Sequence, residues 1–395
     1  MVIPQTELMI DTLYSGDGLI HELVNGILAP LKSSESPLPT LILGVIPAGT
    51  GNAIATTLSI TTPAQAAFRI ITARSIIPLK VTSVHIGPAV ADAKGIKWTD
   101  STADVEIPPV VKYSVVVVSW GLHAQIVRQS ESLRALGNQR FRVLPFFRLD
   151  MPAHELATDV MPFPLQIAAM KQLALNQQYP GKLYLQDGEL LELSPLSSSP
   201  AEATFCPLTP DSNSSQTLFT SSNGPNTSTT KFSYFVSTKV SDFCSPSRIC
   251  RNPPRHPFHS SCSFCANQVS SLELGFKIAP HAHPSNPTTD LILCTSPDRS
   301  QVLDLLKGAG QNGNHTTLPF VKYVRAKGYT LLPTGGGRVK TDGMVEWVSS
   351  LVGSGGGRVV HDLCIDGEMV EVEDGKAVWI SVVEGRLGDV FRVFA

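Results

Sequence analysis

The chain has 395 residues, enough for two domains, and a hydrophobic fraction of 42% that can fill a sizeable core. A formal net charge of −2 and a charged fraction of only 16% exclude a nucleic-acid binder driven by charge. No stretch reaches the roughly 18 uninterrupted apolar residues a membrane-spanning helix needs, and no basic, then apolar, leader opens the sequence. These features predict an intracellular, cytoplasmic chain whose seven cysteines are thiols rather than a disulfide framework.

Taken in order, residues 8–13 read as a short buried strand, Ser15-Gly16-Asp17-Gly18 as a tight turn, and the following stretch as a helix, with Leu19/Leu23 and Ile20/Val24 at i, i+4. The free amides at such a helix start can bind an anion, and glycine lets the backbone come close to it. After a Pro/Ser loop, 41–46 is an apolar strand entering a second Gly-rich turn, Pro47-Ala48-Gly49-Thr50-Gly51-Asn52, then helices over 53–58 and 63–74. This β-α-β-α order favours a parallel sheet with crossover helices.

Beyond it the pattern turns to strands: 80–86, a β-branched run over 111–119 reached through a loop (88–110), then 182–185, 272–278, 291–294, 321–327, 359–364, 369–372 and 377–383. Helices are expected over 124–141 and 302–306. Residues 194–230, rich in Ser, Thr, Pro and Asn, read as a disordered insertion.

The two Gly-rich turns, the segment SWGLHAQIVRQSESLRALGNQRF (119–141) and a late IDGE (365–368) stand in an order that resembles the diacylglycerol kinase catalytic-domain superfamily, and within it the sphingosine or long-chain-base kinases. The resemblance implies an α/β plus β fold. A Rossmann-like nucleotide-binding domain of the phosphofructokinase/NAD kinase type (1–77) would precede an antiparallel β-sandwich that holds lipid (78–395). It implies an ATP- and Mg2+-dependent lipid kinase acting on a long-chain base or a diacylglycerol-like lipid at a peripheral membrane surface. Asp17 matches the general base. Ser15, Gly16, Gly18 and Glu22 match the first nucleotide turn and its acid, and Gly49, Thr50, Gly51 and Asn52 the second. Arg134 and Arg140 match two phosphate-binding arginines, and Asp366, Gly367 and Glu368 the C-terminal acidic motif of the nucleotide site. Taken by themselves, Asp17 reads as a turn aspartate, Asp366-Gly367 as a hairpin turn, and His21 as a packing or capping residue.

The sequence departs from that family in three ways. The strand and Gly-rich loop that precede SGDG in the family are missing, so the domain is expected to be N-terminally truncated, and the alternative to a kinase is a non-catalytic lipid-binding relative. Gln125 and Val127 stand where sphingosine kinases carry acidic residues. Finally, 143–166 and 240–268 interrupt the pattern; each begins with Val (codons GT-) and ends with Gln (a codon is CAG), as retained introns would, which transcript sequencing across the joints checks. Cys244, Cys250, Cys262 and Cys265, with His256 and His259, fall in the second interruption; their irregular gaps make a weak zinc pattern, and no metal site is assigned.

Overall fold

A computed structural model of the chain describes residues 9–30, 40–49, 52–92, 95–98, 109–133, 179–186, 189–192, 204–207, 230–236, 262–267, 269–272, 275–295, 299–335, 337–341, 344–346 and 358–395. The first unit comprises β1 (Met9–Ser15), α1 (Asp17–Leu28), β2 (Leu41–Pro47), α2 (Ala53–Thr57), α3 (Pro63–Thr72) and β3 (Ile76–Pro78). Next come β4 (Thr82–Asp92), β5 (Gly95–Trp98), β6 (Val110–Ser114), β7 (Val117–Trp120), α4 (Leu122–Leu133), β8 (Tyr179–Gln186), β9 (Glu189–Glu192), β10 (Thr204–Pro207), β11 (Thr230–Val236), β12 (Cys262–Asn267) and β13 (Thr289–Thr295). The chain ends with α5 (Arg299–Gly310), β14 (Val321–Ala326), β15 (Gly328–Pro333), β16 (Arg338–Thr341), β17 (Met344–Glu346), β18 (Arg358–Ile365), β19 (Glu368–Glu373), β20 (Lys376–Val382), α6 (Gly385–Gly388) and β21 (Phe391–Phe394).

The first sheet has the order β1-β2-β21-β3. β1 and β2 are parallel, as the β-α-β spacing predicts, in register from Met9↔Leu41 to Ser15↔Pro47. The strand on the other side of β2 is the last of the chain: β21 runs parallel to it from Leu41↔Phe391 and antiparallel to β3. Helix α1 packs its buried Ile20, Val24 and Leu28 inward at i, i+4 spacing. Helix α3 starts on a Thr62 cap, whose side chain accepts from the Gln65 amide, with Pro63 in the first turn, and stops at Ala73 in the left-handed region.

The remaining strands pair almost wholly antiparallel; only β11 and β12 are parallel. Pairing runs β6–β4–β20–β15–β8–β11–β12–β7. The strands form one almost wholly antiparallel system that closes as a barrel, where a two-layer sandwich was expected; β7 also pairs with β18. One apolar core runs through both units, from Ile20, Leu43 and Phe391 to Leu291, Tyr323 and Leu363.

Several local readings change. The run over 111–119 is two strands, broken at Val115-Val116. The expected loop over 88–110 contains the end of β4 and all of β5, which pair with each other. Among the described residues of 272–278 there is only an isolated bridge, at Phe276, in place of the expected strand; Phe276 and Ile278 are buried. β10 lies inside 194–230, and β12, inside 240–268, pairs with β7 and β13. Cys262 and Cys265 sit on β12; Cys244, Cys250, His256 and His259 lie outside the described residues, as does 143–166.

Candidate active site

β1 delivers the chain to Gly16, and α1 begins at Asp17. The Asp17 carboxylate does not point into its own helix. It reaches α2, accepting from the amide of Ala53 (2.6 Å) and that of Ile54 (3.2 Å). Asp17 thereby caps the α2 N-terminus, where free amides and the helix dipole favour an anion. Burial raises the carboxyl most, the two amides draw it back, and the negative Asp366 raises it again; the result is a pKa of about 6. A carboxyl with that value can both hold and release a proton near neutrality.

The second Gly-rich turn is tied by its own asparagine. Asn52 accepts from the Gly49 amide at 3.0 Å and donates to the Gly49 carbonyl at 2.7 Å. Thr50 and Gly51 lie outside the described residues. Gly18 and Glu22 are exposed on α1.

One turn after Asp17, His21 is buried, and both its ring nitrogens face carboxylates: Nδ1 lies 2.9 Å from Asp366 and Nε2 3.2 Å from Glu368. Burial alone would lower the imidazole's pKa, but the two carboxylates outweigh it and raise it. With both nitrogens facing carboxylates, the surroundings favour the doubly protonated ring, which can donate to both. Glu368 also accepts from Lys112 Nζ at 2.9 Å; burial opposes, yet Lys112 and His21 together hold its carboxyl below the usual range. A further turn along, Asn25 accepts from the Tyr113 amide (2.8 Å) and donates to the Tyr113 carbonyl (2.9 Å), binding α1 to β6 as a neighbouring strand would.

Asp366 and Gly367 join β18 to β19 with φ of 50° and 90°, the positive values a two-residue hairpin turn requires. The Asp366 side chain is fully buried and saturated. One oxygen accepts from Ser114 Oγ (2.7 Å) and the amides of Val116 (2.9 Å) and Val117 (2.7 Å). The other accepts from the Val115 amide (2.8 Å) and His21. This explains the break between β6 and β7: successive amides of 115–117 curl around one carboxylate as a nest. Asp366 has no oxygen left for a cation; Glu368 and Glu22 keep solvent-facing carboxylates.

A second charged cluster lies behind α4. Asp362 on β18 accepts two bonds from Arg338, through Nε and Nη2 at 2.8 Å each, one from Arg128 (2.8 Å) and one from the Gln125 amide (2.9 Å). Gln125 thus serves a buried carboxylate from another element. Arg134 and Arg140 lie outside the described residues. The structure therefore brings Asp17, Asn52, Asp366 and Glu368 to one region. It adds Asn25 and Lys112, which sequence reasoning passed over, and His21, which it read as a packing or capping residue; the prior sign was that His21 stands at i+4 from Asp17, on the inward face of α1. Among the described residues no group of three or more His, Cys, Asp or Glu side chains could hold a metal ion, and no helix is long and apolar enough to cross a membrane.

Residues 10–84 match the family model for the diacylglycerol kinase catalytic domain. The chain is 29% identical over 182 residues to sphingosine kinase 1 of Rattus norvegicus, covering 43% of this chain and 42% of that protein. It is 30% identical over 151 residues to sphingosine kinase 1 of Mus musculus, covering 34% and 32%. Each match thus spans less than half the length of these relatives. A diacylglycerol kinase structure from Bacillus anthracis str. Sterne aligns with 99% of this chain and 76% of its own, at 11% identity and a TM-score of 0.43. Similarity to the diacylglycerol kinase catalytic domain thus lies in the segment that holds Asp17 and the second Gly-rich turn.

Proposed function

We propose that this protein is a lipid kinase that moves the γ-phosphate of ATP to the primary hydroxyl of a long-chain base or a diacylglycerol-like lipid presented at a membrane surface. The observation that carries this reading is the Asp17 carboxyl, held under the α2 N-terminus with a pKa of about 6, inside the segment matching the diacylglycerol kinase catalytic domain. In its ionised form Asp17 accepts the proton of the lipid hydroxyl as that oxygen bonds to the γ-phosphorus and the bond to the departing ADP oxygen breaks. Phosphoryl transfer asks mainly for such positioning and for charge neutralisation.

The two Gly-rich turns, with Ser15, Gly16, Gly18, Gly49, Thr50, Gly51 and Asn52, would receive the nucleotide. The Ala53 and Ile54 amides are already committed to Asp17, so phosphate contacts would come from the loop before them. Arg134 and Arg140 would add positive charge. Mg2+ would neutralise phosphate charge there, and the exposed carboxylates of Glu22 and Glu368 fit it better than the saturated Asp366.

The test is transfer of labelled phosphate from ATP to sphingosine or diacylglycerol in mixed vesicles. Wild-type protein should label at least one of them, and Asp17→Asn should lose about 10²–10⁴-fold, the usual worth of a general base. Lipid binding without any ATP-dependent labelling would instead identify a non-catalytic relative.

A further inference from the structure

His21 is 4% exposed and sits on α1 one turn beyond Asp17. An apolar side chain would serve if the position only needed filling. Instead an imidazole is buried there, and both its nitrogens are used, one on Asp366 of the β18–β19 turn and one on Glu368 at the start of β19. Its partner Asp366 cannot follow a shift of α1. Three consecutive backbone amides and the Ser114 hydroxyl fix that carboxylate to the β6–β7 turn. Asn25, another turn along the same face, holds both backbone groups of Tyr113. Helix α1 is therefore pinned against rotation at two successive turns, while the carboxylate at its start is anchored to α2. On a helix of Cα radius about 2.3 Å, a rotation of about 25° displaces each Cα by about 1 Å, and a misplacement of that size can cost about 10²-fold in rate.

We propose that His21 is a positioning residue: with Asp366 it forms a buried latch between α1 and the β barrel that fixes the rotation of α1 and so aims the Asp17 carboxylate at the acceptor hydroxyl. The inference rests on the kinase reading and assigns within it a role to a residue that touches neither substrate. The pair that matters is Nδ1 with Asp366, because Glu368 is half-exposed and keeps Lys112 as a second partner.

Two amide substitutions separate the two ring nitrogens. The short Asn side chain places its NH2 near the position of Nδ1, and the longer Gln near that of Nε2. His21→Asn should hold kcat within about tenfold of wild type. His21→Gln and His21→Leu should lower kcat about 10²-fold, with KM for ATP and lipid within about threefold. In an Asp17→Asn background, His21→Gln should cause no further loss, because the two residues act as one unit. Amide hydrogen exchange across 17–28 and 115–117 should speed up in the Gln and Leu variants and not in Asn. Equal behaviour of Asn and Gln, a loss carried by KM, or a further loss in the Asp17→Asn background would each overturn the latch. If wild-type protein phosphorylates no lipid, the kinase reading fails on its own account. The exchange data then decide the latch, and unchanged protection in His21→Gln overturns it.

Discussion

At the scale of single residues, Asp17 carries two opposed demands. To serve as the base of the proposed kinase its carboxyl must be ionised, yet burial and the negative Asp366 lift its pKa from 3.8 to about 6. Lipid phosphorylation should therefore rise with pH through about 6 and level off above it, read as kcat/KM across pH 5–8. The stability sign is opposite. A carboxyl whose folded pKa is raised binds its proton more tightly in the fold than in the unfolded chain, so its favourable contribution is present at low pH and disappears as pH rises through about 6. Asp17→Asn removes the buried charge but turns its NH2 toward one of the two α2 amides, so the difference between its melting temperature and that of wild type should shift in the variant's favour as pH rises toward about 6 and level off above it. The place of Asp17 was legible because it depends on neighbours: a Gly-rich turn between strand and helix announces itself locally. Its pKa was not, since Asp366 lies 349 positions away along the chain.

At the scale of elements, the β18–β19 hairpin does more than reverse the chain. Asp-Gly correctly signals the turn, and the hairpin forms where the dipeptide stands. The carboxylate's use could not be read there, because its partners belong to β6, β7 and α1. For the same reason the β-branched run over 111–119 looked continuous: strand propensity has no knowledge of a distant carboxylate that turns three amides aside. Gly367 is the cheapest place to disturb this turn. Its φ is 90° and nothing lies within 4 Å of an added Cβ, so Gly367→Ala tests backbone strain alone. It should cost about 1–2 kcal/mol, measured by urea unfolding, and should speed hydrogen exchange at 115–117. The other expected strand, over 272–278, is represented among the described residues by a single bridge at Phe276. Phe276 and Ile278 are buried in a turn-rich segment, and periodicity cannot distinguish that from a ladder.

At the scale of the whole molecule, two features hold the parts together. The first is the buried cluster in which Arg338 and Arg128 meet Asp362 and Glu371, joining α4, β16, β18 and β19. Removing Arg338 takes two hydrogen bonds from the buried Asp362 carboxylate and leaves it to Arg128 and Gln125, so Arg338→Met should cost about 1.5–3 kcal/mol in denaturant unfolding. The second is β21. The α/β character of the first sheet was readable from β1, α1 and β2; the strand order was not, because a four-residue apolar end says nothing about where it docks. Phe391, Val393 and Phe394 are all buried between β2 and β3. Fully burying three such side chains contributes roughly 5–9 kcal/mol, comparable with the net stability of a domain. A chain ending at residue 389 should therefore lose its cooperative thermal transition, seen by circular dichroism. That return also sets a timetable for synthesis. The sheet bearing Asp17 begins with β1 and is completed by β21, which is synthesised after every barrel strand. Until β21 is made, β2 and β3 wait without the strand that lies between them, and their edges are open to other chains. That sheet thus cannot finish folding before the barrel strands have been made, and a ribosome that stalls just before β21 releases a chain with its barrel sequence nearly whole and the sheet bearing Asp17 unfinished.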